Sequence, residues 1–207
     1  MTDRKEKDLI RKAKAGDMLA FEELILQHEK IVYNLAFRMM NHSEDAKDIS
    51  QEVFLKAYRS LGNFDERSQF STWLYRITHN TCIDEMRKRK GKQSYSLEKE
   101  LENEEGSMQR QVADAGDTPE ESLLRGEQKN EILQALDALS EEHKAAVVLR
   151  DIKGLTYEEI AEILELSLGT VKSRLSRARN QLKTEILKIR ERNEEAIRHK
   201  KGKEGRP

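Results

Sequence analysis

The stretch "LTYEEIAEILELSLGTVKSRLSRARNQL", residues 155–182, reads as two short helices joined by a tight turn. Thr156 and Glu159 stand three apart ahead of Ile160, Ala161 and Leu164, the spacing of a capping box that opens a helix. Ser167 can cap the second helix. At about 100° per residue, Val171, Leu175, Ala178 and Leu182 fall on one side of it and make the stripe that must be buried. Lys172, Ser173, Ser176, Arg177 and Asn180 occupy the far side, while Arg174 and Arg179 flank the stripe, where their stems can lie along it. Two short helices with so brief a connection, inside a run of further helices, are the pattern of a helix-turn-helix. The turn from Leu164 to Ser167 departs from the generic motif in having no glycine.

Whether such a helix reads DNA depends on where the charges sit, because the chain as a whole is nearly neutral. It holds 38 Lys and Arg against 39 Asp and Glu. Within 155–182 the signs are segregated: Glu158, Glu159, Glu162 and Glu165 lie in or just after the first helix, whereas the second carries Lys172, Arg174, Arg177 and Arg179 and no acid. A helix that is merely solvated mixes both signs on its outer face. Here the outward positions combine cations, which attract phosphate and contact guanine, with serines and an asparagine of short polar reach, so the second helix is expected to enter a DNA groove.

The rest of the chain is read in the same terms. Of its 207 residues 37% are charged and 36% hydrophobic, with two prolines and ten glycines, a balance suited to amphipathic helices with narrow apolar stripes. The expected fold is all-α: two small helical domains joined by an acidic flexible linker, the second a four-helix domain with the helix-turn-helix. A single cysteine, Cys82, excludes an internal disulfide framework and fits a reducing compartment. No stretch is apolar for long enough to span a bilayer, so a cytoplasmic protein without membrane insertion is expected.

Residues 1–92 read as the first domain. A short helix carries Leu9, Ile10 and Ala13 and stops at Gly16; Asp17 caps a longer one through Leu24, Ile31, Leu35 and Met39. Ser43 is expected to cap a third, through Ile49, Val53 and Ala57 to Gly62, and a fourth begins near Phe70 and runs through Trp73, Ile77 and Ile83 into "RKRK". Between residues 98 and 127 ten acids face three bases, and little apolar periodicity survives before 118, so 93–117 is expected to be a self-repelling linker. The second domain, 118–192, opens at "TPEE", where Thr118, Pro119 and Glu121 make another capping box before a helix with Leu124, Ile132, Leu136 and Leu139. A further helix starts after Ser140, is apolar through Ala146, Val147 and Leu149, and ends at Gly154. The basic tail, 193–207, loses its apolar period and is expected to fray.

A second basic region ends the first domain. Arg87, Lys88, Arg89, Lys90 and Lys92 exceed what favourable placement at a helix C-terminus asks for. Just upstream stand Phe64, Phe70, Trp73 and Tyr75, and aromatics beside a cationic helix suit unstacked bases. Phe70, Trp73 and Ile77 share one helical face and read as core, whereas Phe64 lies in a Gly-Asn loop and reads as exposed. Asn80 sits at the margin of that core stripe. His79 and Cys82 have the spacing of metal ligands but no second pair, and no nucleophile-base order, phosphate loop or paired-acid cleft stands out, so neither a metal, a cofactor nor an enzyme activity is expected.

With "SEDAKDISQEVFLKAYRSLGNFDERSQFSTWLYRITHNTCIDEMRKRK" and "LSEEHKAAVVLRDIKGLTYEEIAEILELSLGTVKSRLSRAR" in one chain, the sequence resembles the bacterial extracytoplasmic-function sigma factors of RNA polymerase, and among them the sigma-W-like members. The likeness runs from about residue 5 to 190. It implies a chain that binds core polymerase, recognises −35 and −10 promoter elements and promotes strand opening. In the family the helix of "DISQEVF" docks on the clamp helices of the largest polymerase subunit, which assigns Asp48, Gln51, Glu52, Phe54 and Tyr58 to that contact. The −10 assignment falls on Phe64, Asp65, Phe70, Trp73, Arg76, Asn80, Arg87 and Lys88, around a captured base. The −35 assignment falls on Lys172, Ser173, Ser176 and Arg177, with Gly169 and Thr170 near phosphate at the helix N-terminus. Ser176 stands where some members carry a bulkier side chain, so the promoter sequence does not transfer. The likeness also implies an anti-sigma partner and a stress or envelope regulon. The rival reading from the residues alone is a helix-turn-helix regulator that binds DNA without polymerase.

Overall fold

The computed structural model describes residues 3–96 and 119–204, and among them there are helices and turns but no strand. Chain contacts divide them into two compact units. The first comprises α1 (Asp3–Lys14), α2 (Met18–Met40), α3 (Ser43–Ser60), a 3₁₀ turn (Leu61–Asn63) and α4 (Phe70–Ser96), together with Leu155–Leu166, which holds α7 (Tyr157–Leu164). The second comprises α5 (Pro119–Asp137), α6 (Glu141–Val147), a π-helical turn (Val148–Ile152) and α8 (Leu168–Glu204).

The first unit is built on α2, α3 and α4. Leu24, Val32, Leu35 and Met39 of α2 meet Ala46, Ile49, Val53 and Ala57 of α3 and Leu74 and Cys82 of α4 in a core from which water is almost absent. Leu9, Ile10 and Ala13 bury α1 against it, and Gly16 ends that helix at φ +95°, a backbone that L side chains rarely adopt. Asp17 caps α2 by accepting from the N–H groups of Leu19 and Ala20 at 3.0 and 3.1 Å. The α3 cap is not Ser43 but His42, whose Nδ1 accepts from Asp45 N; Ser43 is already helical. Within α2 it is Val32 rather than Ile31 that is fully buried, because the stripe drifts with the 3.6-residue period.

In the second unit Leu133, Leu136 and Leu139 join Ala145 to Leu149 and the α8 residues Val171, Leu175, Ala178 and Ile189. Ile132, expected in that stripe, is 44% exposed, and its neighbour Leu133 takes the inward position. Ser140 caps α6 by accepting from His143 N at 3.3 Å. Lys144, 6% exposed, is stabilised by a 2.5 Å ion pair with Asp137, which ties the end of α5 to α6. After Val147 the ladder slips to i→i+5, with Lys153 N donating to Val148 O at 3.0 Å, and Gly154 closes the segment at φ +73°.

The capping box of Thr156 and Glu159 is present in both directions, at 2.7 and 3.2 Å. The turn that lacks glycine is made by Glu165 at φ +55°, with Leu166 N donating to Ala161 O at 2.9 Å. Ser167 caps α8 by accepting from Thr170 N at 3.2 Å. The expected fraying after 192 is corrected: α8 continues to Glu204, with Arg198 and Glu194 paired one turn apart at 3.2 Å. The linker reading over 97–117 and the Thr118 cap lie outside the described residues, while Gln93 to Ser96 belong to α4.

Candidate nucleic-acid interface

The N-terminal half of α8 separates its cations by job. Arg174 reaches Glu142 at 2.9 Å, and Arg179 grips Asp151, with Nε donating to Oδ2 at 3.0 Å. The two flanking arginines thus fasten α8 to α6 and to the π-helical turn. Lys172, Ser173, Ser176, Arg177 and Asn180 are all exposed, and Arg177 makes no ion pair among the described residues. Ser173 turns its hydroxyl back to Thr170 O at 3.0 Å, which shortens its outward reach. At the helix start Gly169 and Thr170 are exposed, but the Thr170 N–H is already taken by Ser167, whose Oγ also meets Thr170 Oγ1 at 2.8 Å. An anion there would be met by the remaining first-turn N–H groups.

In the first unit the loop between the 3₁₀ turn and α4 hangs on a buried aromatic. Phe64 is 4% exposed, its ring 5.4 Å from that of Phe70 and 5.0 Å from that of Trp73. The expected exposure of Phe64 is therefore corrected, since covering a large ring is worth about 2–3 kcal/mol and the loop is short enough to turn it inward. Phe70 and Trp73 are buried too, as their shared helical face requires. These three rings shape the ledge rather than form its surface. What projects is Asp65, Glu66, Arg67 and Gln69, all exposed. Asp65 accepts from Arg67 N at 3.1 Å and grips the Arg67 side chain, whose guanidinium holds the Asp65 carboxyl below the usual carboxylate range. Asn80 is exposed, with Oδ1 3.1 Å from His79 Nδ1, and Arg76 is half-buried.

The basic end of α4 is not uniform either. Arg89 clasps both oxygens of Asp45, at 2.6 and 2.5 Å, and also meets Glu85 at 3.1 Å, so it straps α4 to the start of α3. That contact raises the Arg89 pKa and lowers that of Asp45. Arg87 and Lys88 stay exposed, Lys88 with Glu85 at 3.9 Å.

On α3, Asp48 and Gln51 are exposed, Glu52 and Phe54 half-buried, and Tyr58 44% exposed with its ring edge-on to Phe21 at 5.1 Å. Glu52 is held by Lys56 at 2.8 Å, a hydrogen bond that lowers its pKa. Sequence reasoning missed Leu55, 57% exposed in the same row as Asp48, Gln51 and Tyr58; the i, i+3, i+7 spacing along this outer face marks it. Among the described residues no cluster of His, Cys, Asp and Glu is placed to hold a metal ion, and no helix is long and apolar enough to cross a membrane.

Comparison with known proteins bears directly on these surfaces. The Sigma-70 region 2 family model matches residues 24–92 and the Sigma-70, region 4 model matches residues 129–182. The ECF RNA polymerase sigma factor SigW of Bacillus subtilis is 37% identical over 181 residues, covering 87% of this chain and 96% of that one. The chain belongs to the extracytoplasmic-function (ECF) sigma factors of RNA polymerase. The RNA polymerase sigma-H factor of Pseudomonas aeruginosa is 35% identical over 88% of this chain and 94% of its own. Among solved structures, the sigma factor RpoE of Bartonella quintana, in complex with the anti-sigma factor NepR, matches with TM-score 0.63 and 28% identity over 82% of this chain and 97% of that one. This ECF sigma factor is thus a promoter-recognising transcription initiation factor. Its region 2 match contains the α3 row and the 61–69 loop, and its region 4 match contains the outward positions of α8.

Proposed function

We propose that this sigma factor docks on core polymerase through Asp48, Gln51, Glu52, Leu55 and Tyr58 with Phe54 beneath, reads the −35 element with Lys172, Ser173, Ser176 and Arg177 of α8, and holds melted −10 DNA at the ledge of the 61–69 loop. Asn80 and the loop residues around Asp65 receive the unpaired base, Phe64, Phe70 and Trp73 shape the ledge from below, and Arg76, Arg87 and Lys88 hold the backbone. Extruding a base costs a few kcal/mol, which a shaped pocket and nearby cations offset. The domain division that goes with this is residues 1–92 for region 2, 93–117 for the linker, 118–192 for region 4 and 193–207 for the basic tail; the two family matches at 24–92 and 129–182 support its two domains, whereas α4 and α8 run past 92 and 192 and chain contacts group Leu155–Leu166 with the first unit. The chain catalyses no chemistry of its own, needs no cofactor and works in the cytoplasm, where its polymerase is. An anti-sigma factor restrains it, as the Bartonella relative's complex with NepR suggests by analogy, and its regulon is of the stress or envelope type.

The observation that carries this reading is the division of labour on α8: Arg174 and Arg179 are committed to Glu142 and Asp151, and the exposed face between them presents cations and short polar groups with no acid. Run-off transcription with purified core enzyme tests it. Promoter-specific transcripts are expected only when core and this chain are both present. Arg177→Ala is expected to weaken promoter binding by about 1–3 kcal/mol without changing affinity for core. Tight operator binding by the chain alone, with no effect of core, would instead identify a conventional helix-turn-helix regulator.

A further inference from the structure

The projecting loop of region 2 is held from outside the matched region. Lys14, at the end of α1, precedes the first matched residue by ten positions in sequence. Its ammonium donates to Phe64 O at 2.8 Å, meets Glu66 Oε1 at 3.1 Å and stands 5.5 Å from the centroid of the Phe64 ring. One side chain therefore touches the buried anchor of the loop and its exposed part together. The same helix is fixed at its other end by Glu6, whose carboxylate meets His28 at 2.8 Å, and the His28 ring packs edge-on against Phe70 at 5.2 Å. α1 thus reaches the Phe64, Phe70 and Trp73 cluster from both ends.

From this geometry we infer that Lys14 is a positioning residue for the −10 reading loop: it fixes the height and direction of residues 65–69 over the aromatic ledge and so sharpens base selection without touching DNA. The inference rests on the reading of that loop as the −10 recognition element. The physical reason is that the exposed loop residues have few buried contacts of their own, so their order depends on how firmly Phe64 and Glu66 are held. With its side chain 24% exposed, Lys14 makes charge-assisted bonds that are partly shielded from water.

The test uses the full chain with Lys14→Met, which keeps the apolar stem and removes the donors, Lys14→Arg, which restores them, and Asn80→Ala as a probe of the loop reading. Amide hydrogen exchange of residues 65–69 is measured in the free protein. Base preference is measured with core polymerase on templates randomised across the −10 region beside a fixed −35 element. Lys14→Met is expected to speed loop exchange and flatten −10 preference, each by roughly five-fold, the factor that corresponds to losing one or two net hydrogen bonds. Core affinity and −35 preference should stay as they were, with Lys14→Arg recovering most of the effect. Wild-type exchange and preference in Lys14→Met overturn the inference. If Asn80→Ala flattens −10 preference and Lys14→Met does not, the inference fails alone; if neither does, the loop reading fails and takes the inference with it.

Discussion

Arg174 and Arg177 are neighbours on α8, yet one is fastened to Glu142 and the other is exposed without an ion pair among the described residues. Which cations belong to the flank was legible in the sequence, because helical angle alone sets Arg174 and Arg179 beside the stripe; that Glu142 and Asp151 receive them was not, since those acids lie 32 and 28 residues away. Gly169 allows a sharper test of what approaches this helix. A Cβ there would meet only Ser167 Oγ, at 3.9 Å, an ordinary contact, so the chain itself has room for Ala. Replacing Gly by Ala in the first turn should leave stability unchanged or raise it by up to about 1 kcal/mol. If a phosphate comes close to the helix start, as proposed, the added methyl is expected to lower promoter affinity by several-fold while the thermal midpoint holds or rises. Unchanged promoter affinity in filter binding of the Gly169→Ala holoenzyme would remove Gly169 from the interface.

The elements were recovered from periodicity and caps, and their misplacements have local causes. His42 took the cap expected of Ser43 because an imidazole nitrogen accepts from the N3 amide as a hydroxyl does. The π-helical turn at Val148–Ile152 left no mark in the sequence, since its ladder slips by one residue within "VLRDI", which holds no glycine or proline. The strap between α3 and α4 was equally hidden. Arg89 was read as one more cation of a DNA-facing run, and only its contact with Asp45, 44 positions earlier, removes it from that role. Asp45 is mostly covered and has its pKa lowered, first by the Arg89 hydrogen bonds and then by coulombic attraction to Arg89 and to His42, which lies 3.4 Å away. A folded-state pKa below the unfolded value means that the strap's contribution is fully present above about pH 5 and is lost as pH falls below about 4 through the folded value. Asp45→Asn is therefore expected to cost about 1 kcal/mol at pH 7, modest because the Arg89 side chain is 45% exposed to screening solvent. In urea titrations the gap between variant and wild type should narrow steadily below pH 4. A gap independent of pH would mean that the loss does not come from the Asp45 charge.

For the whole molecule the net charge of −1 is the controlling quantity. A chain with no net positive field gains little from general attraction to DNA, so its two cationic faces act weakly on their own. On the proposed function, core polymerase changes this by raising the effective concentration of each face at its promoter element, so that two weak contacts act as one strong one. The consequence is that a residue remote from every proposed DNA contact should control promoter recognition. Leu55 is that residue: at 57% exposure, beside exposed Gln51 and Tyr58, most of it lies outside the core of its own unit. Leu55→Glu should move folding stability by no more than about 0.5 kcal/mol, as surface substitutions do. Placing a carboxylate in a desolvated contact should weaken binding to core by at least tenfold, the scale of a central interface residue. Promoter-specific transcription should fall in proportion and recover when the variant is supplied at correspondingly higher concentration, because the DNA faces themselves are untouched. Core affinity equal to wild type in a fluorescence titration would show that the exposed row on α3 is not where polymerase binds, and the docking assignment of Asp48, Gln51 and Tyr58 would fall with it.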